Sequence, residues 1–319
     1  MAENSLKVTV IICAYTDRRW DDLLTAINSM SQQGIAPDQI IIVIDHNSDL
    51  FARTKSHFSN ATVVENTQAR GLSGARNTGI RLASGDIIAF MDEDAYAESD
   101  WLEALIAIYN DPNVLGVGGK INPVWLKPQP SWFPGEFRWV VGCTYLGMPV
   151  SQTSVRNLIG CNMSFRSSVF GKIDGFRNDI GRVGIRPVGC EETELCIRIR
   201  QTIPHSKLIY SPAAVVNHRV PASRGTWSYF LSRCYSEGLS KALVTLYVGS
   251  KDGLASERTY MTKTLPFGIF HGLTVGLSGK DRNGFGKSIA IITGLMYTGI
   301  GYLVGTITLA LSRTNKRYV

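Results

Sequence analysis

Three short, uninterrupted apolar runs, each leading to a carboxylate, constrain this chain more than any other feature. Val8–Ala14 (VTVIICA) leads to Tyr15-Thr16-Asp17, residues 40–44 lead to Asp45, and residues 86–91 (DIIAFM) lead to Asp92-Glu93-Asp94. Such short, β-branched runs without polar alternation read as strands covered on both faces. Helical stripes lie between and after them. Trp20, Leu23, Leu24, Ile27 and Met30 follow the first run, residues 71–82 read as a loop entering a helix, and 101–109 read as a further helix. Val63 and Val64 add one short strand. This β-α-β-α order predicts an α/β fold with a parallel, doubly wound sheet. In such a sheet ligands bind outside the carboxyl ends of the strands, where these carboxylates collect.

Three successive carboxylates after a buried strand repel one another unless a cation sits among them. Asp92 and Asp94 share a side if the strand geometry continues. Two hard oxygen ligands on one side suit Mg²⁺ or Mn²⁺, with substrate phosphates completing the shell; the alternative is a solvated turn. A second cluster, Glu191-Glu192-Thr193-Glu194, precedes a pattern that fits a helix starting at the cluster. Acidic residues favour a first helical turn, and such a carboxylate can also take a proton from a hydroxyl. Asp17 and Asp49 have an equal claim as helix caps. No G-x-G-x-x-G follows the first run and no G-x-x-x-x-G-K-[ST] occurs, so dinucleotide and P-loop readings lose their main support.

Only 18% of residues are charged, against about 25% in ordinary soluble chains, and the deficit lies at the C-terminal end. Residues 288–312 carry no charge; as a helix the run 288–311 is about 36 Å long, enough to cross a hydrocarbon core of ~30 Å. Lys280, Arg282 and Lys287 precede it and Arg313, Lys316 and Arg317 follow it, so the positive-inside rule does not orient it. Gly301-x-x-x-Gly305 inside it is a close-packing signal. Residues 265–277 are apolar but too short to span; they fit the interface or a hairpin with the long run. The alternative for the long run is a buried helix of a large core. Six cysteines form no C-x-x-C pair, which argues against a zinc site or redox dithiol and suits a reducing compartment. The polar N-terminus has no signal-peptide pattern, so the globular part is expected in the cytosol.

The ordered set VTVIICAYTD, IIVIDHNSD, GLSGARNTGI, Asp92-Glu93-Asp94 and Glu191-Glu192 resembles the inverting family 2 glycosyltransferases. The match runs in order over about residues 7–241. A narrower likeness, carried by GGKINPVW, FPGEFRWVVG, VRNLIGCNMSFR and CEETELCIRIR, is to that family's glucosyl-dolichyl phosphate glucuronosyltransferase group. The resemblance implies a GT-A fold, Rossmann-like with a mostly parallel sheet, and a C-terminal membrane helix. It implies that Tyr15 and Asp45 hold the base and ribose of a nucleotide. Arg70 and Arg76 would line the nucleotide side and face the diphosphate, with bracing of the loop as the alternative for Arg76. Asp92 would bind ribose and metal, with Asp94 and His218 as further metal ligands. Glu192 aligns with the family's base aspartate; because it is a glutamate here, Glu191 stays in contention. Arg233 and Lys241 would meet a phosphate or lie solvated at a membrane surface. Processive members carry Q-x-x-R-W where this chain has Thr226-Trp227, which favours addition of a single sugar.

The expected division is a catalytic domain over 1–245, an interfacial region over 246–287 and a transmembrane helix over 288–312. The expected function is transfer of a sugar, glucuronic acid among the candidates, from a UDP-sugar to a polyprenyl-linked or other glycan, aided by Mg²⁺ or Mn²⁺. The expected place is the cytoplasmic face of the cell membrane, single- or few-pass, and no nucleic-acid partner is expected. The basic flanks of the apolar run suit anionic headgroups. The rivals are a non-catalytic nucleotide-sugar-binding membrane module and a nucleotidyltransferase.

Overall fold

The N-terminal apolar runs become β1 (Val8–Ala14), β2 (Gln39–Ile44), β3 (Thr62–Glu65) and β4 (Ile87–Asp92). They pair in parallel in the order β3-β2-β1-β4. Helices α1 (Trp20–Ser31), α2 (Ser48–His57) and α3 (Leu72–Leu82) supply the crossovers that parallel pairing requires. The computed structural model describes residues 6–181 and 188–315, the last four by backbone alone. Lys316, Arg317 and the side chain of Arg313, part of the expected basic flank, lie outside the described residues.

The remaining strands are β5 (Ala95–Ala97), β6 (Val114–Trp125), β7 (Thr153–Ser154), β8 (Asn162–Arg166) and β9 (Lys207–Val220). The sheet continues from β4 as β8-β6-β9-β5, with β7 beside β9. β8 runs antiparallel to both β4 and β6, and β5 antiparallel to β9. The sheet is therefore mixed, and the parallel pairing expected from the sequence accounts for its first four strands. The reason is connectivity. No α-helix lies between β6 and β8, so the chain turns back beside itself and does not cross over.

Helix α4 (Trp101–Ile106) is shorter than the pattern predicts, because the chain tightens into a 3₁₀ turn over Ala107–Asn110. Helix α5 (Glu191–Thr202) starts at the second acidic cluster, as its pattern predicts. Its Leu195, Cys196 and Ile199 join Ile11, Phe90 and Phe165 in one buried cluster. Burying each large apolar side chain there contributes about 1.5–3 kcal/mol.

The chain forms two compact units. The first takes in the described residues up to Asn122, those from Pro149 to Gly181, and Glu191–Arg219. The second takes in Pro123–Met148, 188–190 and the described residues from Val220 onward. In the second unit Thr226 caps α6 (Trp227–Val248), and the short α7 (Ser250–Gly253) and α8 (Ala255–Thr259) follow. Then come α9 (Leu265–Leu277) and α10 (Gly284–Asn315). Over Gly284–Leu311, α10 is long and apolar enough to cross a membrane. It is also partly core. Ser288, Ala290 and Ile291 are buried, and the Ser288 hydroxyl donates to the Ile269 carbonyl of α9 at 2.9 Å.

Candidate active site

The site is built at the carboxyl ends of β1, β2 and β4, where the parallel strands release their chains. Register sets Asp92 beside Cys13 of β1. The chain then turns through Glu93 and Asp94 into β5, where Ala95 pairs with His218 of β9. That pairing carries His218 up to Asp94: its Nε2 lies 3.3 Å from Asp94 Oδ1. The Arg219 backbone N–H donates to the Asp94 carbonyl at 2.8 Å and locks the turn. Ligand atoms of Asp92, Asp94 and His218 all lie within 4.8 Å of one another. Two carboxylates and an imidazole this close fit a divalent cation such as Mg²⁺ or Mn²⁺.

Glu93, the middle residue, turns inward. It accepts from the Tyr15 backbone N–H at 3.1 Å and pairs with Arg19 at 3.0 Å. Burial pushes its carboxyl up to about 8; the Arg19 charge opposes the rise and the Asp94 charge adds to it. The same Arg19 nitrogen stands 3.0 Å from Asp94 Oδ2. Sequence reading missed Arg19. The signal was present as a cation just past the end of β1, but only the pairing of β1 with β4 shows which carboxylates it meets.

Asp45 is buried and has internal partners. Its Oδ1 accepts from Asn66 at 2.7 Å and its Oδ2 from the Gly71 N–H at 3.0 Å. It thereby holds the loop that enters α3. Gly71 has φ 126°, which glycine adopts without strain, and a side chain at Gly74 would collide with the Ala69 carbonyl. Those two demands account for the glycines of GLSGARN. Arg70 is exposed on this loop and the Tyr15 side chain is also exposed. Asn47 is the cap of α2, with Asp49 in the first turn.

Arg76 is almost fully buried on α3. Its guanidinium donates to Glu191 Oε1 at 2.9 Å, to the Gly160 carbonyl at 3.2 Å and to Asp92 Oδ1 at 3.3 Å. These bonds brace α3 against Glu191, Gly160 and Asp92. Glu191 is buried and committed to Arg76, whereas Glu192 is half-buried. Glu194 is fully buried and holds Arg177 and Arg198, each at 2.9 Å. Cys190, just before α5, has φ 73°, a conformation rare outside glycine. Arg233 belongs to the second unit, where it is buried on α6 near Glu237.

The sequence model of Glycosyl transferase family 2 matches residues 9–174. The chain belongs to glycosyltransferase family 2. The enzyme is 32% identical over 308 residues to the glucosyl-dolichyl phosphate glucuronosyltransferase of Haloferax volcanii, covering 95% of this chain and 97% of that one. Two solved structures share the GT-A fold with this glycosyltransferase. One is the mannosyltransferase of Pyrobaculum calidifontis in complex with GDP-Man and Mn²⁺, with TM-score 0.56, 18% identity and coverage of 92% of this chain and 87% of that one. The other is GalNAc-T7 with UDP, GalNAc and Mn²⁺, with TM-score 0.53, 16% identity and coverage of 69% of this chain and 44% of that one.

Proposed function

We propose that this glycosyltransferase moves a sugar, glucuronic acid being the first candidate, from a UDP-linked donor to a polyprenyl-linked glycan or another glycan acceptor. The observation that carries the reading is the single guanidinium of Arg76, bonded both to Asp92 of the acidic turn and to Glu191 at the start of α5. It ties the carboxylates suited to a donor diphosphate to those suited to an acceptor hydroxyl. The sugar and the lipid come from the name of the Haloferax volcanii relative.

Glu192 is the base in this reading. An ion-paired, buried carboxylate such as Glu191 is a poor proton acceptor, and Glu192 is the accessible member of the pair. It removes the acceptor proton as the hydroxyl attacks the anomeric carbon opposite the nucleotide, so a single displacement inverts that centre. Tyr15 packs on the base, Asp45 holds the ribose side through its loop, and Arg70 faces the nucleotide. Asp92, Asp94 and His218 would hold Mg²⁺ or Mn²⁺, which supplies charge neutralisation for the departing diphosphate. Arg233 contributes positive charge for a phosphate.

Residues 1–245 form the catalytic domain in this scheme, with an interfacial region over 246–287 and the membrane helix over 288–312. The enzyme works at the cytoplasmic face of the cell membrane, where a lipid-linked acceptor resides. The test is to incubate membranes containing the full chain with a panel of UDP-sugars, a lipid-linked acceptor and Mn²⁺ or Mg²⁺. Sugar on the lipid with release of UDP is the expected result. Release of pyrophosphate, or donor binding with no transfer to any glycan, would overturn it.

A further inference from the structure

Within the second unit α6 and α10 run side by side in the same direction. Gly294 abuts Phe230, Gly301 abuts Tyr235 and Gly238, and Gly305 abuts Ala242. Side chains at Gly238 and Gly301 would collide with backbone carbonyls of the opposite helix, at Thr298 and Tyr235. Small residues thus let two backbones touch from Phe230 to Ala242 and from Gly294 to Gly305.

Helix α6 is poorly suited to hydrocarbon. Arg233, Glu237 and Lys241 follow one another at single-turn spacing. The Lys241 ammonium stands 2.7 Å from Glu257 and 3.4 Å from Glu237. If α10 crossed a bilayer over 294–305, this ion network would be drawn in beside it, which hydrocarbon penalises strongly. Past Gly305 the charge-free part of the helix runs only to Ser312, before Arg313, about 10 Å of rise or a third of a hydrocarbon core.

The opposite face of α10 is a different surface. Ile289, Ile292, Met296, Ile300, Leu303 and Ile307 recur every three or four residues and are all exposed. Helix α9 runs antiparallel to α10, with Gly272 against Ser288 and Gly276 against Phe285. It exposes Phe267, Phe270 and Leu277 at 69–78%. The turn between the two helices carries exposed Lys280 and Arg282. Beside the start of α10, Trp132 packs against Gly286 and stacks on Trp227 at 4.1 Å. An exposed apolar stripe with cations and tryptophans at one end has the composition of a surface that meets lipid, its basic and aromatic end at the headgroups.

We propose that the α9–α10 hairpin lies in the plane of one leaflet, its exposed stripe at the boundary of headgroups and acyl chains. It therefore does not cross the bilayer, and the chain before α9 and after α10 stays on one side. This placement rests on the membrane location of the proposed function.

One cysteine at a time is added to the full chain, at exposed Ser59 (Ser59→Cys) or after Val319, and labelling is read above the background of the six native cysteines in the unaltered chain. Sealed inverted membrane vesicles are then treated with a membrane-impermeant maleimide. Both cysteines should react without detergent. Reaction at Ser59→Cys but not at the C-terminal cysteine until detergent is added would show a crossing helix and overturn the in-plane placement, leaving the glycosyl-transfer reading intact. In a second arm, the paired change Ile300→Asp and Leu303→Asp is tested by co-sedimentation with phosphatidylcholine vesicles containing phosphatidylglycerol. Binding should weaken about tenfold or more, given the apolar area removed from lipid. Unchanged vesicle binding, with the variant converting a dimer to a monomer in sedimentation, would assign the stripe to a second copy of the chain. Failure of the unaltered chain to bind any vesicle would sink both this placement and the membrane location, while transfer to a soluble glycan would still report on the chemistry.

Discussion

The Arg76 guanidinium donates to buried Glu191 at 2.9 Å, whereas the neighbouring Glu192 is half-buried. In the proposed mechanism Glu191 is a buried counter-ion and Glu192 is the base. Glu192→Gln should lower kcat by about 10²–10⁴-fold, the usual scale for a lost general base, with little change in donor affinity. Glu191→Gln should retain more turnover and lose stability. Steady-state kinetics and thermal melts of the two variants check this, and the reverse pattern would move the base by one residue.

Removing the guanidinium should affect stability before chemistry. Arg76→Met leaves Glu191 buried without its partner, and breaking such a pair costs about 3–5 kcal/mol. The double variant Arg76→Met with Glu191→Gln should recover part of that loss, because the uncompensated charge is gone. Urea unfolding of the four proteins of the cycle gives the coupling. Strict additivity would mean the bond has no energetic role.

The acidic turn should respond to metal as a unit with β9. Asp94→Asn and His218→Ala should each weaken Mn²⁺-dependent binding of UDP, measured by calorimetry. Ser59→Ala, at an exposed position, should leave it unchanged. Excess EDTA should abolish transfer by the wild-type enzyme. Full activity in EDTA, with UDP affinity unaltered, would exclude a role for the cluster in holding a cation.

Two glycines of the same apolar run in different surroundings provide an internal control. Gly301→Val drives a side chain into the Tyr235 carbonyl, whereas nothing lies within 4 Å of a Cβ at Gly299. Overpacking costs about 1–3 kcal/mol and often more against backbone, so Gly301→Val should accumulate poorly or melt early. Gly299→Ala should match or exceed the parent, since alanine gains about 1 kcal/mol over glycine in a helix. Equal behaviour of the two would mean that α10 does not pack on α6.

Alkaline pH should erode stability through the buried thiols. Burial pushes Cys196 up from 9.0 to about 12. The native state therefore holds this proton more tightly than the unfolded chain does. Its contribution is complete below pH 9 and is lost as pH rises toward 12. Urea midpoints should fall over that window, and less steeply for Cys196→Ala.

Part of this protein was determined locally. Uninterrupted β-branched runs such as VTVIICA are stable only inside a covered sheet, so β1, β2 and β4 and the carboxylates at their ends were legible in the sequence. The start of α5 at Glu191, the entry into α3 and the whole of α9 were readable for the same reason: each pattern lies within one element. The tertiary structure decided the rest. The antiparallel half of the sheet follows from which segments lack crossover helices. Arg76 finds Glu191 across 115 positions of sequence, and Arg19 meets Glu93 and Asp94 only because β1 and β4 are neighbours. A charge at the end of a strand states what it can bind; which opposite charge reaches it depends on the order in which the strands close. The apolar run of α10 likewise announced a helix, but Gly294, Gly301 and Gly305 face α6, and Ile289, Ile292, Ile300 and Ile307 face outward, only once the second unit is packed.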